Sequence, residues 1–170
     1  MDDAFNDFVV ARWPRLVRSA VLLGCSTAEA EDVVQTTLEK CLTSWGRVER
    51  AGNRDAYVYR VLVNTFRGSR RRRWTGERPT GTLPDHEVVP DPTTGVDDAD
   101  AITRALARLT DDQRAAVILR FYAGLDERQM AEALGVAPGT VKSRLSRALG
   151  ALTHDPNLQE LRGLTCTTTD

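Results

Sequence analysis

The chain has 170 residues, 41% of them hydrophobic and 28% charged, a composition that fits one ordinary globular domain or two small ones and excludes a disordered or fibrous chain. Its net charge of −1 argues, taken alone, against a nucleic-acid partner. No apolar run reaches the length of a membrane span, and the acidic N-terminus lacks the basic start of a signal peptide, so a cytoplasmic protein is expected. Cys25, Cys41 and Cys166 are scattered without a CxxC pair and read as reduced thiols. With only His86 and His154 beside them, neither a zinc site nor any other cofactor is expected.

The first predicted helix carries Phe5, Phe8, Val9, Trp13, Leu16, Val17, Ala20 and Val21 at helical spacing; Pro14 should kink or split it and Gly24 should close it. Ser26 followed by Glu29 reads as a capping box opening a second helix. Its core stripe is Ala30, Val33 or Val34, Leu38, Cys41 or Leu42, and Trp45, with Gly46 expected to end it. Glu31, Asp32, Gln35 and Glu39 form the opposite face, which by pattern alone is solvated surface.

A loop, GRVERAGN, leads to a third helix from about Asn53 to Trp74, with Val58, Val61, Leu62 and Thr65 as its buried edge. Tyr57, Arg60, Asn64, Arg67 and Arg71 line a neighbouring face. An aromatic ring, an amide and arginines interleaved in this way suit stacking on and hydrogen bonding to unpaired bases; a plain surface arginine cluster is the alternative. The charges are segregated: Arg60, Arg67 and Arg70 to Arg73 lie in a stretch without a carboxylate, whereas seven acidic residues face one arginine between Gly76 and Asp100. That second stretch also holds Pro79, Pro84, Pro90 and Pro92, and reads as a flexible acidic linker.

Beyond it, Ile102, Ala105, Leu106 and Leu109 mark a helix, and Asp111 is expected to cap another bearing Ala115, Ile118, Leu119 and Tyr122. The stretch DERQMAEALGVAPGTVKSRLSRALGAL then reads as two helices around a glycine turn, with Pro138 at the first position of the second helix. In that helix Val141, Leu145, Ala148 and Leu152 fall on one side, and Gly139, Ser143, Ser146, Arg147 and Gly150 on the other, flanked by Lys142 and Arg144. A face of small, hydroxylated and cationic residues can enter a major groove, so the pair reads as a helix-turn-helix; an ordinary solvated hairpin is the alternative. In the tail, Asp155-Pro156 can start a short helix, and the end of the chain reads as a disordered end or a regulatory lid. The expected fold is all-α: two small helical domains, each with its own core, joined by a mobile linker, with no sheet.

In this order, the segments ARWPRLVR, AEDVVQTTLEK, AYVYRVLVNTFRGSRRRR and LTDDQRAAVILRFYAGLDERQMAEALGVAPGTVKSRLSRAL resemble the extracytoplasmic-function (ECF) sigma factors of bacterial RNA polymerase, in particular their actinobacterial sigma-E-like branch. The resemblance implies a region 2 domain at residues 1–75, a linker at 76–100, a region 4 helix-turn-helix domain at 101–153 and a tail at 154–170. It implies that Asp32, Gln35 and Glu39 dock on the β′ clamp helices of core polymerase, reversing the solvated-surface reading; Thr36 stands where the family usually has a carboxylate. It implies that Asn64, with Tyr57, Arg60, Arg67 and Arg71, holds unpaired −10 bases, next to a pocket shaped by the loop Arg47 to Asn53. Tyr57 stands where many relatives have tryptophan. Lys142, Ser143, Ser146 and Arg147, with Thr140 and Arg144, are implied to read the −35 element, and Ala137 stands where relatives often have a capping serine. The implied partners are core RNA polymerase, through the clamp helices and the β flap, promoter DNA, and an anti-sigma factor as a candidate regulator. No enzymatic activity is implied. A stand-alone helix-turn-helix regulator is the alternative function. A recombinase or nuclease finds no nucleophile with a paired base or carboxylate cluster in the N-terminal half, and a pure protein adaptor leaves the arginine run unused.

Overall fold

The structure, a computed structural model, describes residues 3–76 and 96–159, with side chains for 3–75 and 99–159. Among them there are helices and no strand, in two consecutive groups as the pattern predicts. The first group is α1 (Asp3–Leu22), α2 (Thr27–Thr43), α3 (Trp45–Arg50) and α4 (Arg54–Gly76). The second is α5 (Val96–Ala107), α6 (Asp111–Val117), which runs on through a π-helical turn at Ile118–Tyr122, then α7 (Glu127–Leu134) and α8 (Pro138–Thr153). Helix α5 therefore starts inside the stretch read as linker, most of which lies outside the described residues.

Local chemistry sets most of the boundaries. The Ser26–Glu29 capping box forms as read, Ser26 N donating to Glu29 Oε2 at 2.8 Å. Gly24 closes α1 at φ +109° and Gly135 closes α7 at φ +66°, a region that side-chain-bearing residues avoid. Three expectations are corrected. Of the two outcomes expected at Pro14, the split does not occur, since α1 runs through it; the carbonyl it deprives of a partner belongs to Val10, which is 77% exposed and can turn to water. Gly46 does not end α2. That helix stops at Thr43, and Gly46 lies inside α3, because burying both Trp45 and Val48, three residues apart, coils the supposed loop into a helical turn. Thr110, not Asp111, caps α6, accepting from Gln113 N in a reciprocal capping box.

In the first group Leu16, Ala20, Val34, Leu38, Trp45, Val58, Leu62 and Phe66 are buried, with Phe5 edge-on to Trp45 at 5.1 Å. In the second, Leu109, Ala116, Leu119, Leu125, Met130, Leu134, Val141 and Ala148 are buried, while Ile102, read as core, is 44% exposed. The expectation of two separate cores is also corrected: the buried apolar residues of both groups form one continuous cluster. They join because α7 packs along α4 and α1 meets the end of the π turn, where Arg15 donates to the Tyr122 carbonyl and lies over its ring. The tail opens a helical turn at residues 156–159, capped by Asp155, as read; its remainder lies outside the described residues.

Candidate nucleic-acid interface

Helix α8 turns Val141 and Ala148 fully inward, and this fixes the opposite side as surface. Gly139, Lys142, Ser143, Ser146, Arg147 and Gly150 are all exposed on it. Thr140 is half-buried and its carbonyl accepts from Ser143 Oγ at 3.0 Å. Ala137 occupies the N-cap with extended backbone and no capping side chain, and Pro138 follows, so the first amide groups of α8 are not covered by a cap residue. Arg144 is placed apart from this set. Its side chain is 19% exposed and its guanidinium meets Asp112 at 2.7 Å, on the inner side of the helix.

On α4, Arg60 lies over the Tyr57 ring at 4.8 Å and is exposed, and Asn64 is exposed one turn further along. Arg67 is half-buried: it donates to the Leu134 carbonyl at the end of α7 (3.1 Å) and to Asp112 (3.0 Å). Arg71 is exposed. These five residues do share one side of the helix, as read, and Asn64 does not plug a buried backbone group. What the pattern did not reveal is that α7 lies against this side. A cleft of about 390 Å³ runs between the two helices, with Gly52, Asn53, Tyr57 and Arg60 on one wall and Arg128, Gln129 and Glu132 on the other. The segment 47–53 thus reaches the cleft, its first half as part of α3.

Two residues that sequence reasoning missed hold this arrangement. Asp112 accepts from Arg67 with one carboxylate oxygen and pairs with Arg144 through the other, tying α4 to α8. Arg114 is 8% exposed and donates to four carbonyls: Leu106 (2.9 Å), Ala107 (3.2 Å) and Leu109 (3.1 Å) at the end of α5, and Leu23 (2.9 Å) at the end of α1. Burial lowers its pKa, yet a guanidinium starts so high that it keeps its proton, and the two helix C-termini supply the compensating negative ends. The only signal of this in the sequence was an arginine set among core positions of α6. Gly24 permits the approach, since a Cβ there would sit 2.5 Å from Arg114 Nη1.

Asp32, Gln35 and Glu39 are exposed together on α2, with Gln35 donating to Glu39 at 3.2 Å. Beside them a groove of about 500 Å³ between α2 and α4 is bordered by Glu29, Asp32, Thr36, Ser69 and Arg72. Cys25 and Cys41 are buried, and burial pushes both thiols up to about 11. Among the described residues no His, Cys, Asp and Glu cluster could hold a metal, and no helix is long and apolar enough to cross a membrane.

Residues 9–75 match the family described as Sigma-70 region 2, and residues 99–152 match Sigma-70, region 4. The chain is 35% identical over 151 residues to the RNA polymerase sigma-E factor of Streptomyces coelicolor, covering 89% of this chain and 85% of the relative. It is 34% identical to the ECF RNA polymerase sigma factor SigM of Mycobacterium tuberculosis, over 88% of this chain and 75% of the relative. Among solved structures it is similar to the sigma factor RpoE in complex with the anti-sigma factor NepR from Bartonella quintana. That match has a TM-score of 0.81 and 29% identity, over 93% of this chain and 98% of the other.

Proposed function

The chain belongs to the ECF sigma factors of the sigma-70 family, and on that premise we propose how its two helical units divide the work of promoter recognition. As a sigma factor it binds core RNA polymerase and directs initiation at promoters. The helical unit around α4 serves the −10 element, and the unit ending in α8 serves the −35 element. The protein works beside the polymerase in the cytoplasm and performs no bond chemistry of its own.

One observation carries the assignment: α8 and α4 each carry a polar face opposite the one anchored in the core, open on α8 and, on α4, bordering the cleft with α7 where Arg60 and Asn64 are exposed. On α8, Lys142 and Arg147 supply phosphate and base-edge contacts, and Gly139, Ser143, Ser146 and Gly150 let the groove come close. On α4, Tyr57 offers a stacking surface, Arg60 and Arg67 balance backbone charge, and the Asn64 amide can both donate to and accept from an unpaired base. Each stacked base contributes about 1–3 kcal/mol. Capture of unpaired bases therefore offsets strand separation, and binding favours the melted state. Asp32, Gln35 and Glu39 form the polymerase-docking face.

The packed arrangement is the resting form in this account. Elements named −35 and −10 lie about 25 base pairs apart, roughly 85 Å of duplex. A compact chain of this length has a radius of gyration of about 15 Å and cannot touch both at once. Residues 77–95 can reach about 65 Å when extended, so separating α4 from α7 provides the span. The likeness to a sigma factor crystallised with an anti-sigma factor extends over both units and supports a regulator that holds them together.

Run-off transcription from a random promoter library with core polymerase and the purified chain tests the function. Transcripts that depend on the added chain and share a two-block upstream motif are expected. Sequence-specific DNA binding without polymerase-dependent transcripts would point instead to a stand-alone regulator.

A further inference from the structure

Two arginines cross the join between the units in opposite directions, away from the residues assigned to DNA and to polymerase. Arg15 of α1 donates to the Tyr122 carbonyl at the end of the π turn and lies over the Tyr122 ring. Arg114 of α6 donates to the Leu23 carbonyl at the end of α1, at 2.9 Å. Each unit thus supplies the guanidinium that covers a helix C-terminus of the other. The last carbonyls there lack partners within their own helix, and the helix dipole favours a cation.

The local backbone prepares both seats. After α1, Gly24 N donates to the Val21 carbonyl and Cys25 N to the Ala20 carbonyl, a closed turn that leaves the Leu23 carbonyl for Arg114. The two contacts also match in spacing. Arg15 and Leu23 are eight residues apart, as are Arg114 and Tyr122, in reversed order. In a continuous α-helix Arg114 and Tyr122 would point about 80° apart. The π turn at Ile118–Tyr122 holds roughly one residue more per turn, so each of its residues advances about 80° rather than 100°. Both ends of the helix then face the same way, and both reach α1.

This crossing differs in kind from the Arg67–Asp112 contact. Arg67 and Asp112 are opposite charges with partly exposed side chains, which salt screens. Arg114 is buried and meets neutral carbonyls, where a hydrogen bond from a charged donor is strong and salt has little to screen. We propose that Arg15 and Arg114 form a reciprocal clasp that holds the two units in the packed form and sets how often the free chain is open to polymerase and promoter. The proposal rests on the reading of the packed form as the resting one. Separating the units breaks both contacts together and leaves two helix C-termini uncovered.

Single-molecule energy transfer between labels on α1 and α8 of the full chain reads the open fraction. Gly24→Ala places a Cβ 2.5 Å from Arg114 Nη1 and spares that side chain's bonds to α5. It should raise the open fraction about tenfold or more. Arg15→Ala, at an exposed position, should raise it about three- to tenfold, and carries the test alone if Gly24→Ala does not fold. Gly124→Ala imposes a similar strain, at φ +74° with nothing within 4 Å of the new Cβ, and should leave the open fraction unchanged. Raising salt from about 0.1 to about 1 M should open the unaltered chain less than Gly24→Ala does. An unchanged open fraction in Arg15→Ala or in folded Gly24→Ala, or an equal rise in Gly124→Ala or with salt alone, overturns the clasp. Affinity for core polymerase should rise in step with the open fraction, since only the open chain is competent. If the open fraction rises and that affinity does not, the clasp stands and the reading of the packed form as the resting one has failed.

Discussion

Asp112 and Arg67 meet at 3.0 Å across the join between the two helical units, so a side chain assigned to −10 recognition is occupied in the packed form by a carboxylate of the −35 unit. The same carboxylate holds Arg144 at 2.7 Å. The Arg67 and Asp112 side chains are 37% and 49% exposed, so the pair is worth at most about 1 kcal/mol. Asp112→Asn should therefore raise the open fraction of the free protein up to about fivefold. Single-molecule energy transfer between labels on α1 and α8 reads that fraction, and an unchanged distance distribution would show that the ion pair does not hold the units together.

Arg114 should matter more than any surface pair. Arg114→Ala leaves four carbonyls, three of them buried, short of a donor, at a cost of at least about 2 kcal/mol. For a chain of this size that lowers the melting temperature by on the order of 5 °C or more. Gly24→Ala should also destabilise, through the strained φ and the 2.5 Å approach to Nη1. The two costs should not add, because each substitution removes the other's obstacle. A strictly additive double variant would mean that the approach of Arg114 to Gly24 carries no energy.

Arg147 and Arg144 sit three residues apart on α8 and should behave differently. Arg147 is on the exposed face, so Arg147→Ala should weaken −35 binding by about 1–3 kcal/mol if it reads a base edge. Arg144 is turned to Asp112, so Arg144→Ala should loosen the packing of α8 on α6 and leave the −35 motif unchanged. Promoter selection and thermal melting of the two variants check this; a motif change in Arg144→Ala would place that guanidinium in the groove after the units separate.

Charge reversal at Asp32 and Glu39 should reduce core-polymerase binding without altering helicity, because both side chains lie on the exposed side of α2. Normal core affinity in a well-folded double variant would return that face to ordinary solvated surface.

The helices were legible where apolar spacing and caps agreed: the Ser26–Glu29 box, the Gly135 turn and Pro138 at the head of α8 all act as the residue pattern implied. Boundaries were missed where burial decided them. Trp45 and Val48 pull a polar-looking loop into a helical turn, and a water-facing carbonyl lets α1 run through Pro14. The exposed faces of α2 and α8 could be read because a helix with one buried stripe must show the other. The packing of α7 on α4 could not, since it depends on long-range partners: Asp112 between two arginines, and Arg114 reaching a carbonyl 91 positions away. No periodicity within one helix encodes such a pairing.

The exposed amide in the middle of α4 is assigned to an unpaired −10 base, and thermal melting paired with promoter selection in Asn64→Ala tests that assignment. Asn64 is exposed, and asparagine is a poor mid-helix residue, so the substitution should leave the melting temperature unchanged or slightly raised. In transcription from a promoter library, selection at one −10 position should weaken or change while the −35 block survives, because that block is assigned to α8. A variant with lowered stability and an unaltered −10 block would contradict the account and remove Asn64 from the site.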